Sequence, residues 1–146
     1  MNAPIPNEPI RAFLDANVLY AAALGGGCCK LWDIPRITLV TNEYAAKEAW
    51  DNLAREADPA ACRDRLCDLL HQMEVHPYDD DGTTPLFTGW SLPDPNDVPI
   101  LLGAIEHNCG YLLTGDGKCF GRFFESGPVD GVVIMRPGKF LRLLGL

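Results

Sequence analysis

The chain has 146 residues, of which 47% are apolar and 22% charged, a size and composition that suit one globular domain and exclude disordered, fibrous and collagen-like classes. No apolar run approaches the roughly 20 residues needed to span a bilayer. The net charge of −8 argues against a simple nucleic-acid-binding module, which neutralises phosphates with basic side chains; it argues less against a nuclease whose acidic site meets phosphates through bound metal ions.

Residues 1–9 are Met1-Asn2-Ala3-Pro4-Ile5-Pro6-Asn7-Glu8-Pro9. They lack a basic segment followed by an apolar stretch, so they read as a disordered lead-in rather than a secretory signal. A cytoplasmic domain is expected over 10–146. Arg11-Ala12-Phe13-Leu14 reads as a buried strand that starts as early as Ile10. Residues 15–24 suit a helix ended by Gly25-Gly26-Gly27, and 28–32 suit a further helical turn. Ile37-Thr38-Leu39-Val40 is a second strand, rich in branched residues.

Thr41 or Asn42 can cap the next helix, which runs to about Arg55. Asp58-Pro59 opens another, with Leu66, Leu69, Leu70 and Met73 as its buried stripe. Glu74-Val75-His76 is a short strand. Residues 77–93 form a long loop whose turn is Asp79-Asp80-Asp81-Gly82. Residues 97–108 make an amphipathic helix with Ile100, Leu101, Ala104 and Ile105 on one face, stopped by Gly110. Tyr111-Leu112-Leu113-Thr114 is a strand, Gly115-Asp116-Gly117 a turn, Gly131-Val132-Val133-Ile134 the last strand and 137–144 a closing helix. Strands alternating with helices imply an α/β/α sandwich around a parallel sheet, in which ligands gather beyond the carboxyl ends of the strands.

The acids fall in that region. Asp15 follows the first strand, Asp116 lies just beyond the strand at 111–114, Asp97 starts the helix leading into it, and Glu48 sits in the helix after the second strand. Each has an ordinary role taken singly: a helix cap for Asp15 and Asp97, a turn former for Asp116, a solvated helix position for Glu48. If the first and fourth strands are neighbours, however, Asp15 and Asp116 emerge side by side. Carboxylates packed within a few Å raise their pKa values or recruit cations. Oxygen donors suit Mg²⁺ or Mn²⁺, and neither a histidine nor a cysteine accompanies the acids in this reading, which makes zinc less suitable. Cys28, Cys29, Cys62, Cys67, Cys109 and Cys119 show no Cys-x-x-Cys pair or zinc-finger spacing and read as reduced thiols.

Phe13-Leu14-Asp15-Ala16-Asn17-Val18-Leu19, Leu92-Pro93-Asp94-Pro95-Asn96-Asp97 and Leu112-Leu113-Thr114-Gly115-Asp116, in this order and strand–helix context, resemble PIN domains over nearly the whole chain. The resemblance implies an α/β/α, Rossmann-like fold and a Mg²⁺- or Mn²⁺-dependent ribonuclease, with VapC-like toxins among the small bacterial members. It also implies an antitoxin partner and a homodimer. On this resemblance Asp15, Asp97 and Asp116 are metal ligands, Glu48 is the second of four catalytic acids, and Asn17 and Thr114 support them. Phe120 would be core. Periodicity does not decide between Glu43 and Glu48; the family pattern favours Glu48, and it favours Asp97 over Asp94. The implied reaction is single-stranded RNA cleavage by metal-activated water, leaving a 5′-phosphate and a 3′-hydroxyl.

Lys118 and Arg122 are candidates for holding RNA phosphates. Phe87 and Trp90 could stack on bases, though pinning the loop to the core is the simpler role. Two rivals stand beside the nuclease. A phosphohydrolase with an aspartyl nucleophile would also place Asp15 after the first strand, but its Asp-x-Asp pair is missing, because position 17 is Asn. A catalytically inactive PIN-like interaction module is the other, and the presence of all four acids argues against it.

Overall fold

The computed structural model describes residues 9–79 and 95–146. The expected lead-in apart from Pro9, most of the turn at 79–82, and Phe87, Trp90 and Asp94 lie outside the described residues. Five strands, β1 (Ile10–Leu14), β2 (Ile37–Asn42), β3 (Glu74–His76), β4 (Tyr111–Leu113) and β5 (Val133–Met135), form one sheet in the order β3-β2-β1-β4-β5. Every pairing is parallel. The chain therefore steps outward from β1 to β3, crosses back, and steps outward again through β4 to β5. Right-handed crossovers then put helices on both faces, giving the three-layer sandwich. Helices α1 (Ala16–Ala23), α2 (Glu43–Leu53) and α3 (Pro59–His71) pack on one another, while α4 (Val98–Glu106) lies against β1, β2 and β4. Two short helices follow, α5 (Gly117–Phe120) after β4 and α6 (Pro137–Leu143) after β5.

The central strands are apolar along their length, as burial on both faces requires: Ala12, Phe13, Leu14, Val40, Leu112 and Leu113 are fully enclosed. Phe120 is likewise core. The helix ends follow local chemistry. Asn42 rather than Thr41 caps α2, its Oδ1 accepting from the Ala45 N–H at 2.9 Å. Thr41 instead donates its hydroxyl to the Leu14 carbonyl at 2.9 Å, tying the ends of β1 and β2 together. Gly25, at φ +84°, ends α1 in the left-handed conformation that glycine adopts without cost.

Several boundaries differ from expectation. α4 is stopped by Asn108 at φ +57°, since asparagine also tolerates the left-handed region, so Gly110 is not the terminator. The buried stripe of α3 is Cys62 and Leu66, continued by Leu70 and by Met73 beyond the helix end. Leu69, on the same face by spacing, is half-buried, and its carbonyl accepts from the Trp32 indole at 3.1 Å. The last strand is Val133–Met135, displaced toward the C-terminus because residues 131 and 132 belong to a turn bridged between Val129 and Val132. The Gly115–Gly117 turn runs straight into α5.

Close packing of α4 depends on Gly103. A methyl group there would sit 2.8 Å from Asn42 Nδ2 and 2.9 Å from Phe13 Cζ, closer than real contacts allow. Gly103→Ala is therefore expected to destabilise the chain by about 1–3 kcal/mol through overpacking, outweighing the roughly 0.8–1.0 kcal/mol that alanine gains in a helix interior. Urea midpoints check this, and a variant as stable as the parent would show that α4 is free to move away from β1.

Candidate functional site

The pairing of β1 with β4 decides where the site is built. Asp15 directly follows β1 and its backbone N–H donates to Leu113 O at 3.1 Å, so the two strand ends are stitched together where they release Asp15 and Asp116. A pocket of about 470 Å³ opens there, lined by Asp15, Ala16, Asn17, Tyr20, Glu48, Asn52, Arg55, Asp97 and Asp116. All four sequence-derived acids thus meet in one cavity, from four different stretches of chain.

Asp15 is held most tightly. It is 3% exposed; its Oδ1 accepts from the Ala16 N–H at 2.6 Å, and its Oδ2 accepts from the Thr114 hydroxyl at 2.8 Å and the Asn17 amide at 3.2 Å. Asn17 also donates to Thr114 Oγ1 at 3.3 Å and receives the Gly115 N–H at 2.7 Å. Thr114, fully buried, accepts the Asp116 N–H at 3.0 Å. Asn17 and Thr114 therefore brace the β1 and β4 ends against each other and fix the Asp15 carboxylate and the Asp116 backbone. Burial pushes the Asp15 carboxyl up from its ordinary 3.8 to about 7. The hydrogen bonds from Thr114 and Ala16 oppose this rise, while the charges of Asp97 and Glu48 add to it.

Thr114→Val keeps the shape but removes the hydroxyl that serves Asp15, Asn17 and the Asp116 N–H. A loss of about 1–3 kcal/mol is expected from the polar groups left unpaired, read as a shift in the denaturation midpoint; an unshifted midpoint would remove Thr114 from this brace.

Asp116 caps α5, its Oδ1 accepting from the Lys118 and Cys119 N–H groups at 3.1 Å each. Asp97 arrives at the end of a 3₁₀ turn, Pro95–Asp97, just before α4. One oxygen from each of these two acids and the sulfur of Cys119 lie within 4.8 Å of one another. A cysteine does accompany the acids after all. The sequence carried a signal for it, since positions 116 and 119 are three apart and share a helix face, but that signal appears only once the turn is known to continue as α5. Oxygen donors this close, beside a carboxyl held near neutrality by its surroundings, fit a divalent cation.

Glu48 lines both this pocket and a neighbouring groove, whereas Glu43, on the same helix, lines only that groove, with Tyr44, Lys47 and Tyr78. Asn52 and Arg55 follow Glu48 by four and seven residues, a one-face spacing that could have revealed both; Tyr20 follows Asn17 by three. Arg55, bonded to Asn52 Oδ1 at 2.9 Å, is the cation among the described residues that line the cavity. Lys118 and Arg122 do not line it. Lys118 is exposed, and the Arg122 guanidinium sits 4.6 Å over the Phe123 ring.

No protein-family model and no curated protein matches the sequence. The fold matches solved structures. A chain of VapBC2 from Rickettsia felis, crystallised bound to a DNA fragment from its promoter, superposes with a TM-score of 0.63 at 16% identity, covering 87% of this chain and 98% of that one. VapC20 from Mycobacterium tuberculosis, a toxin that cleaves the sarcin–ricin loop, gives a TM-score of 0.55 at 15% identity, covering 82% of this chain and 97% of that one.

Proposed function

We propose that this chain, whose fold is the PIN-domain fold of the VapC proteins, is a divalent-metal-dependent endoribonuclease acting on single-stranded RNA, and the toxin of a toxin–antitoxin pair. The observation that carries the reading is the convergence of Asp15, Glu48, Asp97 and Asp116 on one cavity. At identities of 15–16% the neighbours speak for the fold, so the chemistry rests on these residues.

Asp15, Asp97 and Asp116 would hold Mg²⁺ or Mn²⁺. The bound ion lowers the pKa of water and offsets charge on the scissile phosphate. The chain's own contribution is positional. Thr114 and Asn17 keep the Asp15 carboxylate aimed into the cavity, and the α5 cap does the same for Asp116. Glu48, which lines the cavity and is exposed to solvent, would take a proton from the attacking water. Arg55 supplies positive charge for an RNA phosphate, a role the sequence reading gave to Lys118 and Arg122. Hydrolysis without help from the ribose 2′-hydroxyl would leave a 5′-phosphate and a 3′-hydroxyl.

The test is cleavage of single-stranded RNA with Mg²⁺, Mn²⁺ or EDTA, with end-group analysis of the products. Metal-dependent cuts ending in 3′-hydroxyl groups support the reading; cuts that persist in EDTA, or that leave a cyclic phosphate, defeat it. A partner antitoxin and a homodimer are parts of the same proposal. Growth arrest on expression, relieved by a small DNA-binding protein encoded beside this chain, would support the toxin role. Among the described residues no helix is long and apolar enough to cross a membrane.

A further inference from the structure

The carboxylate pocket does not account for Cys119. Its side chain is 3% exposed, an ordinary place for a thiol acting as a small apolar residue. Its sulfur nevertheless lies within 4.8 Å of carboxylate oxygens from both Asp97 and Asp116. Among the described residues these three donors form one group within that distance; Asp15 lines the same cavity but is not in this close group. The arrangement is built into the backbone. α5 begins at Gly117, and the Cys119 N–H donates to Asp116 Oδ1 at 3.1 Å, so the first turn fixes the thiol beside the carboxylate. Asp97 then approaches from the separate segment that opens α4.

We propose that Cys119 joins Asp97 and Asp116 as a sulfur ligand when a thiophilic divalent ion such as Co²⁺ or Zn²⁺ occupies this centre, holding such ions more tightly than the carboxylates alone would, while Mg²⁺ uses the oxygen donors only. The proposal rests on the metal-dependent reading above and deepens it. Thiolate donors select softer ions, whereas Mg²⁺ takes oxygen donors and keeps its waters. Metal–ligand bonds of about 2.0–2.3 Å to oxygen and sulfur are within reach of donors so spaced after small side-chain rotations. As the sulfur binds, the thiol proton leaves to solvent, so uptake of the softer ions releases a proton and strengthens with rising pH.

Cobalt distinguishes the alternatives, because a Co²⁺–thiolate bond produces an intense near-ultraviolet charge-transfer band that carboxylate ligation does not. Co²⁺ titrated into the metal-free 146-residue chain is expected to give a saturable band. Cys119→Ser should abolish it and weaken Co²⁺ binding at least about tenfold, while calorimetric Mg²⁺ affinity changes by less than about threefold. Asp97→Asn and Asp116→Asn, which alter partly exposed carboxylates, should each weaken the band, and they carry the test if the serine variant does not fold. A band that survives Cys119→Ser, or that ignores both Asp variants, comes from another cysteine and overturns the proposal. Co²⁺ bound without the band also overturns it, yet leaves a carboxylate metal site standing. If the chain binds no divalent ion, both this proposal and the nuclease reading fall.

Discussion

Asp116→Asn is expected to lower metal-supported RNA cleavage by at least about a hundredfold, the upper end of what altering groups around a metal usually costs, while leaving the fold intact. The separation of these two effects follows from the geometry. Asp116 does two jobs through one side chain: it accepts the Lys118 and Cys119 N–H groups as the cap of α5, and it presents an oxygen to the cluster with Asp97 and Cys119. Asparagine caps a helix as well as aspartate does, so the amide oxygen retains the first job. It carries no charge, so the second is lost. The side chain is only half-buried, which leaves room for the amide. Single-turnover cleavage measured beside a thermal melt checks both halves. Parental activity would take Asp116 out of the chemistry, and a collapse in melting temperature would mean that the carboxylate acts chiefly as structure.

Metal-free protein should become more stable as the pH is lowered from about 8 toward 5, and Asp15 is the reason. Its carboxyl titrates near 3.8 in an unfolded chain but at about 7 in the folded one. Between those values the folded state binds more protons than the unfolded state, so stability falls as pH rises through the window. The cost is absent below the unfolded value and complete above about 7. At 1.36 kcal/mol per pKa unit, a rise from 3.8 to about 7 is worth on the order of 4 kcal/mol, an upper figure for a site that can relax.

A divalent ion supplies the missing positive charge, so it should raise the melting temperature most at alkaline pH and flatten the profile. His107 works in the opposite sense. Burial, and the stacked ring of His76 at 3.5 Å, hold it below its ordinary 6.5, so its contribution is lost on acidification. The difference between the parent and Asp15→Asn therefore isolates the aspartate. In that variant position 15 carries no ionisable group, and the slope assigned to Asp15 should vanish. Identical pH profiles for the two proteins would mean that Asp15 is not held in the strained ionisation described here.

What was legible in the sequence is what short-range chemistry controls. Branched apolar runs bounded by polar residues marked the strands, because a buried parallel strand must be apolar on both faces. Asp58-Pro59 marked the start of α3, and Gly25 the end of α1, because cap geometry depends on the residue at the cap. The placing of Asp15 and Asp116 at strand ends came from the same local signals.

Tertiary structure alone decided which of these residues meet. The neighbouring of β1 and β4 brings Asp15 to Asp116, and it follows from the order in which the sheet is assembled, which no local pattern specifies. Glu43 and Glu48 lie on one helix, both exposed, and the choice between them was set by the roll of α2 against α1 and α3. Cys119 sits in a stretch that begins like a turn, and it joins the acids because Asp116 caps a further helical turn there. Arg55 reaches the cavity while Lys118, nearer in sequence to one of its four acids, does not. Side-chain convergence depends on distances between elements far apart in the chain, and those distances are fixed by packing rather than by the residues on either side.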